Sequence, residues 1–258
     1  MAAEHTAGSH RHSEPVMGTV VSFELRGLGP PGSASGAIAR ACRWLHWVDD
    51  TFSTYKTDSE ISRFDRGELS IDRCHPQVQE ILSLCGTLRT TTNGYFDAWA
   101  GGRLDPSGVV KGWSIERASG LLCELGWPDH CIDGGGDVRL SGSSGEERGW
   151  RVAITHPFEL DAYCAVVTLA QGAVATSGTY RRGLHVIDPH RGRPATALAA
   201  VTVIGPELVV TDAYATAALA MGTEAARWLE GLPDHEGFVI DADGQGWHTS
   251  GFGAHLLT

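Results

Sequence analysis

Between residues 131 and 204 the chain reads as one strand after another. Short runs rich in β-branched and other apolar residues fall at 131–140, 150–155, 165–170, 173–176 and 199–204. Helical periodicity falls before this block, at 33–50, 75–92 and 110–125, and after it, at 209–221 and 223–229. There is no regular strand–helix alternation, and parallel neighbours would need helical crossovers. The expected class is therefore α+β, a largely antiparallel sheet with flanking helices. A strand at 16–25 precedes the first helix, and segments 238–240 and 246–249 form a closing hairpin around Asp243-Gly244. Ser59 is placed to cap a short helix that follows the loop starting at Thr51. Asn93-Gly94 and Gly126 stop the helices before them.

A chain of 258 residues can bury a substantial core. Residues 15–258 read as a single domain and residues 1–14 as a disordered polar tail. The net charge of −11 argues against a nucleic-acid binder. It also means that a polyanionic ligand must be held by local devices: a metal, backbone amides or a few basic side chains. The six cysteines are scattered and form no C-x-x-C, which fits a reducing compartment and thiols used as small hydrophobes. No run has the length of a membrane span, and no apolar leader is visible, so the expected location is cytoplasmic.

The chemistry concentrates between residues 176 and 222. This stretch holds T-S-G at 176–178, H-V-I-D-P-H-R-G-R-P at 185–194 and T-D-A-Y-A-T-A-A-L-A-M-G at 211–222. In the last segment Asp212 and Thr216 stand four residues apart, on one face of an apolar helix. Two hard oxygens so placed suit Mg²⁺, which completes its shell with water and substrate phosphates. The same pair near a helix start also serves as a cap. His185, in a turn-rich loop, supplies a group that titrates near neutrality.

Further segments add to this. Asp105-Pro106-Ser107-Gly108 runs into a helix whose first turn carries Lys111. A helix N-terminus with small residues lets backbone approach an anion, and the lysine adds a point charge; an Asp-Pro turn with a surface lysine reads the same way. The glycine run at 134–136 either cradles a ligand or forms a bulge. Tyr55 and Tyr95 either stack on a flat ring or pack. No Rossmann fingerprint, P-loop or G-x-S-x-G elbow is present.

Taken in order, these pieces resemble the FAD:protein FMN transferases of the ApbE type. The resemblance rests on M-G-T at 17–19, F-S-T-Y followed by S-E-I-S at 52–62, G-Y-F-D at 94–97, D-P-S-G-V-V-K-G at 105–112, the glycine-rich strand, and the three segments between 176 and 222. Each motif is weak alone; eight in the family order are a strong signal. The resemblance implies an α+β fold that binds FAD with Mg²⁺ and splits its pyrophosphate. FMN then passes to a Thr or Ser hydroxyl of an acceptor protein, and AMP is released. Two other readings are hydrolysis of FAD to FMN and AMP, and flavin binding without turnover. Carried over by residue, the resemblance implies flavin contacts from Met17, Tyr55, Tyr95, Phe96, Asp97, Asp105, Lys111 and Ser177. It implies metal ligation by the carboxylate of Asp212, the hydroxyl of Thr216 and the main-chain carbonyl of Gly108, with His185 as the base.

The chain departs from the family pattern in places. Only residues 98–104 separate the G-Y-F-D segment from Asp105, where the family carries a longer insert. Arg191 stands where the family has Thr, and Gly108 where Ala is more frequent. The shortened segment leaves one wall of the expected flavin pocket thinner. A carbonyl ligand survives the change to glycine.

Overall fold

The computed structural model describes residues 8–27, 33–159, 161–179 and 183–257. Its frame is an eight-stranded sheet in which every pairing is antiparallel, as the element order predicts. The chain opens with β1 (Ser9–Val16) and β2 (Thr19–Arg26), followed by helices α1 (Ala34–Phe52), α2 (Glu60–Asp65), α3 (Pro76–Thr91) and α4 (Ser107–Glu124). Strands β3 (His130–Gly134), β4 (Val138–Ser141), β5 (Trp150–Thr155), β6 (Tyr163–Leu169) and β7 (Gly172–Gly178) come next. The two-residue strands β8 (Ile187–Asp188) and β9 (Arg193–Pro194) pair with each other and precede β10 (Leu198–Gly205). Helices α5 (Leu208–Met221) and α6 (Ala225–Glu230) lead to β11 (Glu236–Asp241) and β12 (Gly246–His248). The large sheet runs β1-β2-β3-β4-β7-β10-β11-β12, and β5-β6 form a separate hairpin.

The expected tail gives way to structure. Residues 1–7 lie outside the described residues, but from Ser9 onward β1 pairs with β2 along its whole length. Its sequence, SHRHSEPV, buries only Val16, so no apolar alternation marks it as a strand. Backbone pairing with β2 satisfies its polar groups instead. The turn between the two strands is Met17-Gly18, both at positive φ (53° and 68°), which is the geometry of a type I′ hairpin. Methionine at positive φ is uncommon and costly.

The expected strand 131–140 is likewise a hairpin. Gly135 and Gly136 take positive φ, and the Asp133 carboxylate accepts the Gly136 N–H at 2.7 Å, closing the turn between β3 and β4. Here the glycines serve as turn residues. Ser59 caps α2 as expected, accepting the Ser62 N–H at 3.1 Å.

The central strands separate two cores. In β7, Ala173 and Ala175 face the helical layer, while Val174 faces β5-β6 and Phe252. The period of two thus puts apolar groups on both faces, and β10 is buried along its whole length. Helix α5 lies against β7, β10 and α4. It is apolar almost all round, as a helix enclosed on every side must be. It meets α4 along a stripe at Gly108, Gly112 and Glu116. A Cβ on Gly112 would stand 2.7 Å from the Leu208 carbonyl oxygen, so only glycine permits this approach. Glu116 finishes the joint by accepting the Leu208 N–H at 2.7 Å, which caps α5, while its other oxygen takes Arg139 at 2.8 Å.

Candidate active site

Three elements converge where the first turn of α4, the middle of α5 and the end of β7 meet. Asp105 accepts the Ser107 N–H at 3.0 Å, and Pro106 starts α4. In this first turn Gly108 faces α5: a Cβ there would stand 3.2 Å from the Phe96 ring and 3.5 Å from Thr216 Oγ1. Thr216 in turn lies 3.2 Å, hydroxyl to hydroxyl, from Ser177 on β7. Gly108, Ser177 and Thr216, distant in sequence, therefore share one small volume.

Lys111 extends from the next turn of α4 between two carboxylates. It forms an ion pair with Asp137 and reaches within 3.9 Å of Asp212. Both aspartates are almost fully buried (side chains 1% and 4% exposed). Buried carboxylates need a nearby cation, and this cluster of one lysine and two aspartates supplies a charge-rich floor beside the hydroxyls. Asp137 also accepts the Thr176 N–H at 3.1 Å, which fixes its carboxylate against β7. Asp137 was not picked out from sequence. The only signal was an aspartate directly after a glycine run, and its role depends on the β3-β4 turn delivering it to α4.

The remaining sequence-predicted residues stand in varied settings. Met17 packs partly buried at the β1-β2 turn, its sulfur 3.7 Å from the Ser114 hydroxyl on α4. Phe96 is buried against Gly108 and forms a wall of the site from inside the core. The Asp97 carboxylate is engaged by Arg89 at 3.1 Å and by the Trp99 N–H at 2.9 Å. Tyr95 packs edge-on against His190, centroids 4.4 Å apart, and that imidazole donates to the Asn93 carbonyl at 2.9 Å. Tyr55 is 96% exposed. His185 is exposed as well. Its Nδ1 lies 3.0 Å from the Gly183 carbonyl, which can only accept, so in the neutral ring Nδ1 carries the proton and Nε2 is the basic nitrogen.

The shortened segment is closed tightly. The Asp105 N–H reaches the Ala98 carbonyl at 2.7 Å, and Asp65 binds the Leu104 N–H at 3.0 Å and Arg103 at 3.3 Å. The six cysteines are all free thiols, three of them buried. Among the described residues no helix is long and apolar enough to cross a membrane.

Comparison with known proteins agrees with this architecture. The solved ApbE protein of Thermotoga maritima superposes with a TM-score of 0.85 at 18% identity, covering 97% of this chain and 100% of that one. The flavin transferase ApbE of Vibrio cholerae gives 0.83 at 24% identity, again covering 97% and 100%. An FAD:protein FMN transferase of Vibrio cholerae is 26% identical over 273 residues, covering 82% of this chain and 81% of the relative. One from Rhodobacter capsulatus is 35% identical over 215 residues, covering 80% of this chain and 38% of the relative. The chain spans 45% of the relative from Klebsiella pneumoniae. The ApbE family model matches residues 17–102 and 98–239. With that model matched over most of its length, the chain belongs to the ApbE family.

Proposed function

We propose that this chain is an FAD:protein FMN transferase. In the reaction a Thr or Ser hydroxyl of an acceptor protein attacks the FMN phosphorus of FAD. The bond from that phosphorus to the bridging oxygen breaks, a phosphodiester forms, and AMP leaves. The observation that carries this reading is the convergence of Gly108, Lys111, Asp137, Ser177, Asp212 and Thr216 at the α4–α5–β7 junction.

The donor set fits Mg²⁺. The carboxylate of Asp212, the hydroxyl of Thr216 and the main-chain carbonyl of Gly108 are hard oxygens, and no sulfur or imidazole stands among them. Asp212, Thr216 and Gly108 would hold the ion, which would supply neutralisation of pyrophosphate charge and Lewis acidity. Phosphoryl-type transfer depends on positioning and charge stabilisation more than on covalent help. Lys111, steered by Asp137, directs a positive charge at the pyrophosphate. Ser177 holds the Thr216 hydroxyl in place and contacts the flavin nucleotide, as do Met17, Tyr55, Asp105 and the 95–97 segment. Nε2 of His185 takes the proton of the incoming hydroxyl, a contribution worth roughly 10²–10⁴-fold.

The test is incubation with FAD, Mg²⁺ and candidate acceptor peptides containing Thr or Ser, followed by mass measurement and assay of AMP. Expected is AMP release with an equal yield of peptide carrying one FMN. AMP and free FMN without modified peptide would make the chain an FAD pyrophosphatase; flavin binding without AMP would make it a binder. FAD should also bind more tightly than FMN, which lacks the pyrophosphate, and equal affinities would count against the assignment.

A further inference from the structure

A second cluster of ligating side chains lies where β1 crosses α1. A groove of about 500 Å³ opens there, and His12, Glu14, Cys42 and His46 line it. None of the residues assigned above to flavin or Mg²⁺ lines it. The donor atoms of His12, Glu14 and Cys42 all lie within 4.8 Å of one another. Nε2 of His12 stands 2.9 Å from one Glu14 oxygen, and Nε2 of His46 stands 2.8 Å from the other. One carboxylate thus already gathers two imidazoles beside a thiol.

The geometry points to a site for a divalent transition ion of the zinc class, held by His12, Glu14, Cys42 and His46. Local structure pre-arranges the ligands in two pairs. His12 and Glu14 are two apart on a strand, so they project from the same face. Cys42 and His46 are four apart on a helix, so they too share a face. Each pair chelates on its own, and packing of α1 against β1 brings the pairs together.

The donor chemistry selects the metal. One thiolate, two imidazoles and one carboxylate match Zn²⁺ and its neighbours rather than Mg²⁺ or Ca²⁺, which take oxygen only. Tetrahedral bonds of about 2.0–2.3 Å place ligand atoms roughly 3.4–3.8 Å apart, so the atoms of His12, Glu14 and Cys42 must close in by about 1 Å, and His46, joined to them through Glu14, must swing in as the fourth ligand. The imidazoles can move, because the side chains of His12 and His46 are 42% and 51% exposed. Cys42 is buried and supplies the fixed end. A carboxylate only accepts, so in the metal-free cluster Nε2 of each ring carries the proton it donates to Glu14. Loading the ion moves that proton to Nδ1 through solvent, frees the Nε2 lone pair for the metal, and releases the Cys42 thiol proton to water. The ion would tie β1, an edge strand with a polar sequence, to the helical layer. It would thereby hold the Met17-Gly18 turn that follows.

The experiment uses the full chain, stripped with chelator and titrated with Co²⁺. Expected is a thiolate-to-cobalt charge-transfer band that saturates at one equivalent, with visible bands of tetrahedral strength, both abolished by one equivalent of Zn²⁺. Cys42→Ser should remove the charge-transfer band. His46→Gln, at an exposed position that does not threaten folding, should weaken Co²⁺ binding by at least the roughly 10–100-fold seen for outer-shell losses. Asp212→Ala and His10→Gln should leave the band unchanged, which separates this site from the Mg²⁺ site and from loose binding by surface histidine. Absence of the band, its survival in Cys42→Ser, or an unchanged affinity in His46→Gln would overturn the assignment.

Discussion

His130 should make this fold sensitive to mild acid. It is fully buried between α4 and β3, with Nδ1 2.8 Å from the Trp127 carbonyl and Nε2 2.7 Å from the Ser119 hydroxyl. The carbonyl can only accept, so Nδ1 carries the proton and Nε2 accepts from Ser119. Both nitrogens of the neutral ring are thereby satisfied, and a second proton would add a buried charge. Burial pushes the imidazole from 6.5 down to about 4. A folded value below the unfolded one means that the unfolded chain binds more protons in between, so stability falls as pH drops through that window. At about 1.36 kcal/mol per pH unit, the gap corresponds to about 3 kcal/mol, a large share of the roughly 5–15 kcal/mol that holds a domain folded. The loss should begin near pH 6.5 and level off near pH 4. The assay is denaturant unfolding from about pH 7.5 down to about pH 4, with His130→Asn beside the parent. Asparagine keeps a donor for the Trp127 carbonyl and carries no titration. The stability difference between the two proteins should shrink by about 3 kcal/mol across the window. A difference that stays constant with pH would refute the assignment of acid sensitivity to this ring.

Other consequences concern the proposed active site and the helix joint. Asp212→Ala should keep the fold but lose Mg²⁺-dependent AMP release, read by chromatography; normal turnover would reduce Asp212 to a packing residue. His185→Ala should bind FAD almost normally and turn over about 10²–10⁴-fold more slowly. Weaker FAD binding with an unchanged chemical step would instead show that His185 only packs its loop. Gly112→Ala places a methyl 2.7 Å from the Leu208 carbonyl oxygen and should lower stability by about 1–3 kcal/mol. A thermal midpoint equal to the parent's would show that α4 and α5 have room to separate.

Local features of this protein were legible in its sequence because local rules produce them. The grouping of strands without helices between them implied antiparallel pairing, and the sheet has it throughout. Asp212 and Thr216 share a helix face because they are four residues apart, and α5 carries both. The ordered motifs implied the family before any fold was in view. What stayed hidden depends on residues far apart in sequence. β1 is polar and mostly exposed, so neither burial nor alternation marked it; its pairing with β2 alone makes it a strand. Asp137 looked like the end of a glycine run until the β3-β4 turn placed it on Lys111. His12, Glu14, Cys42 and His46 were two unremarkable pairs until α1 packed against β1. Among the twelve histidines, all with the same intrinsic affinity for a proton, nothing in the sequence singles out His130. Only the tertiary structure, by removing its ring from water, makes protonation costly there.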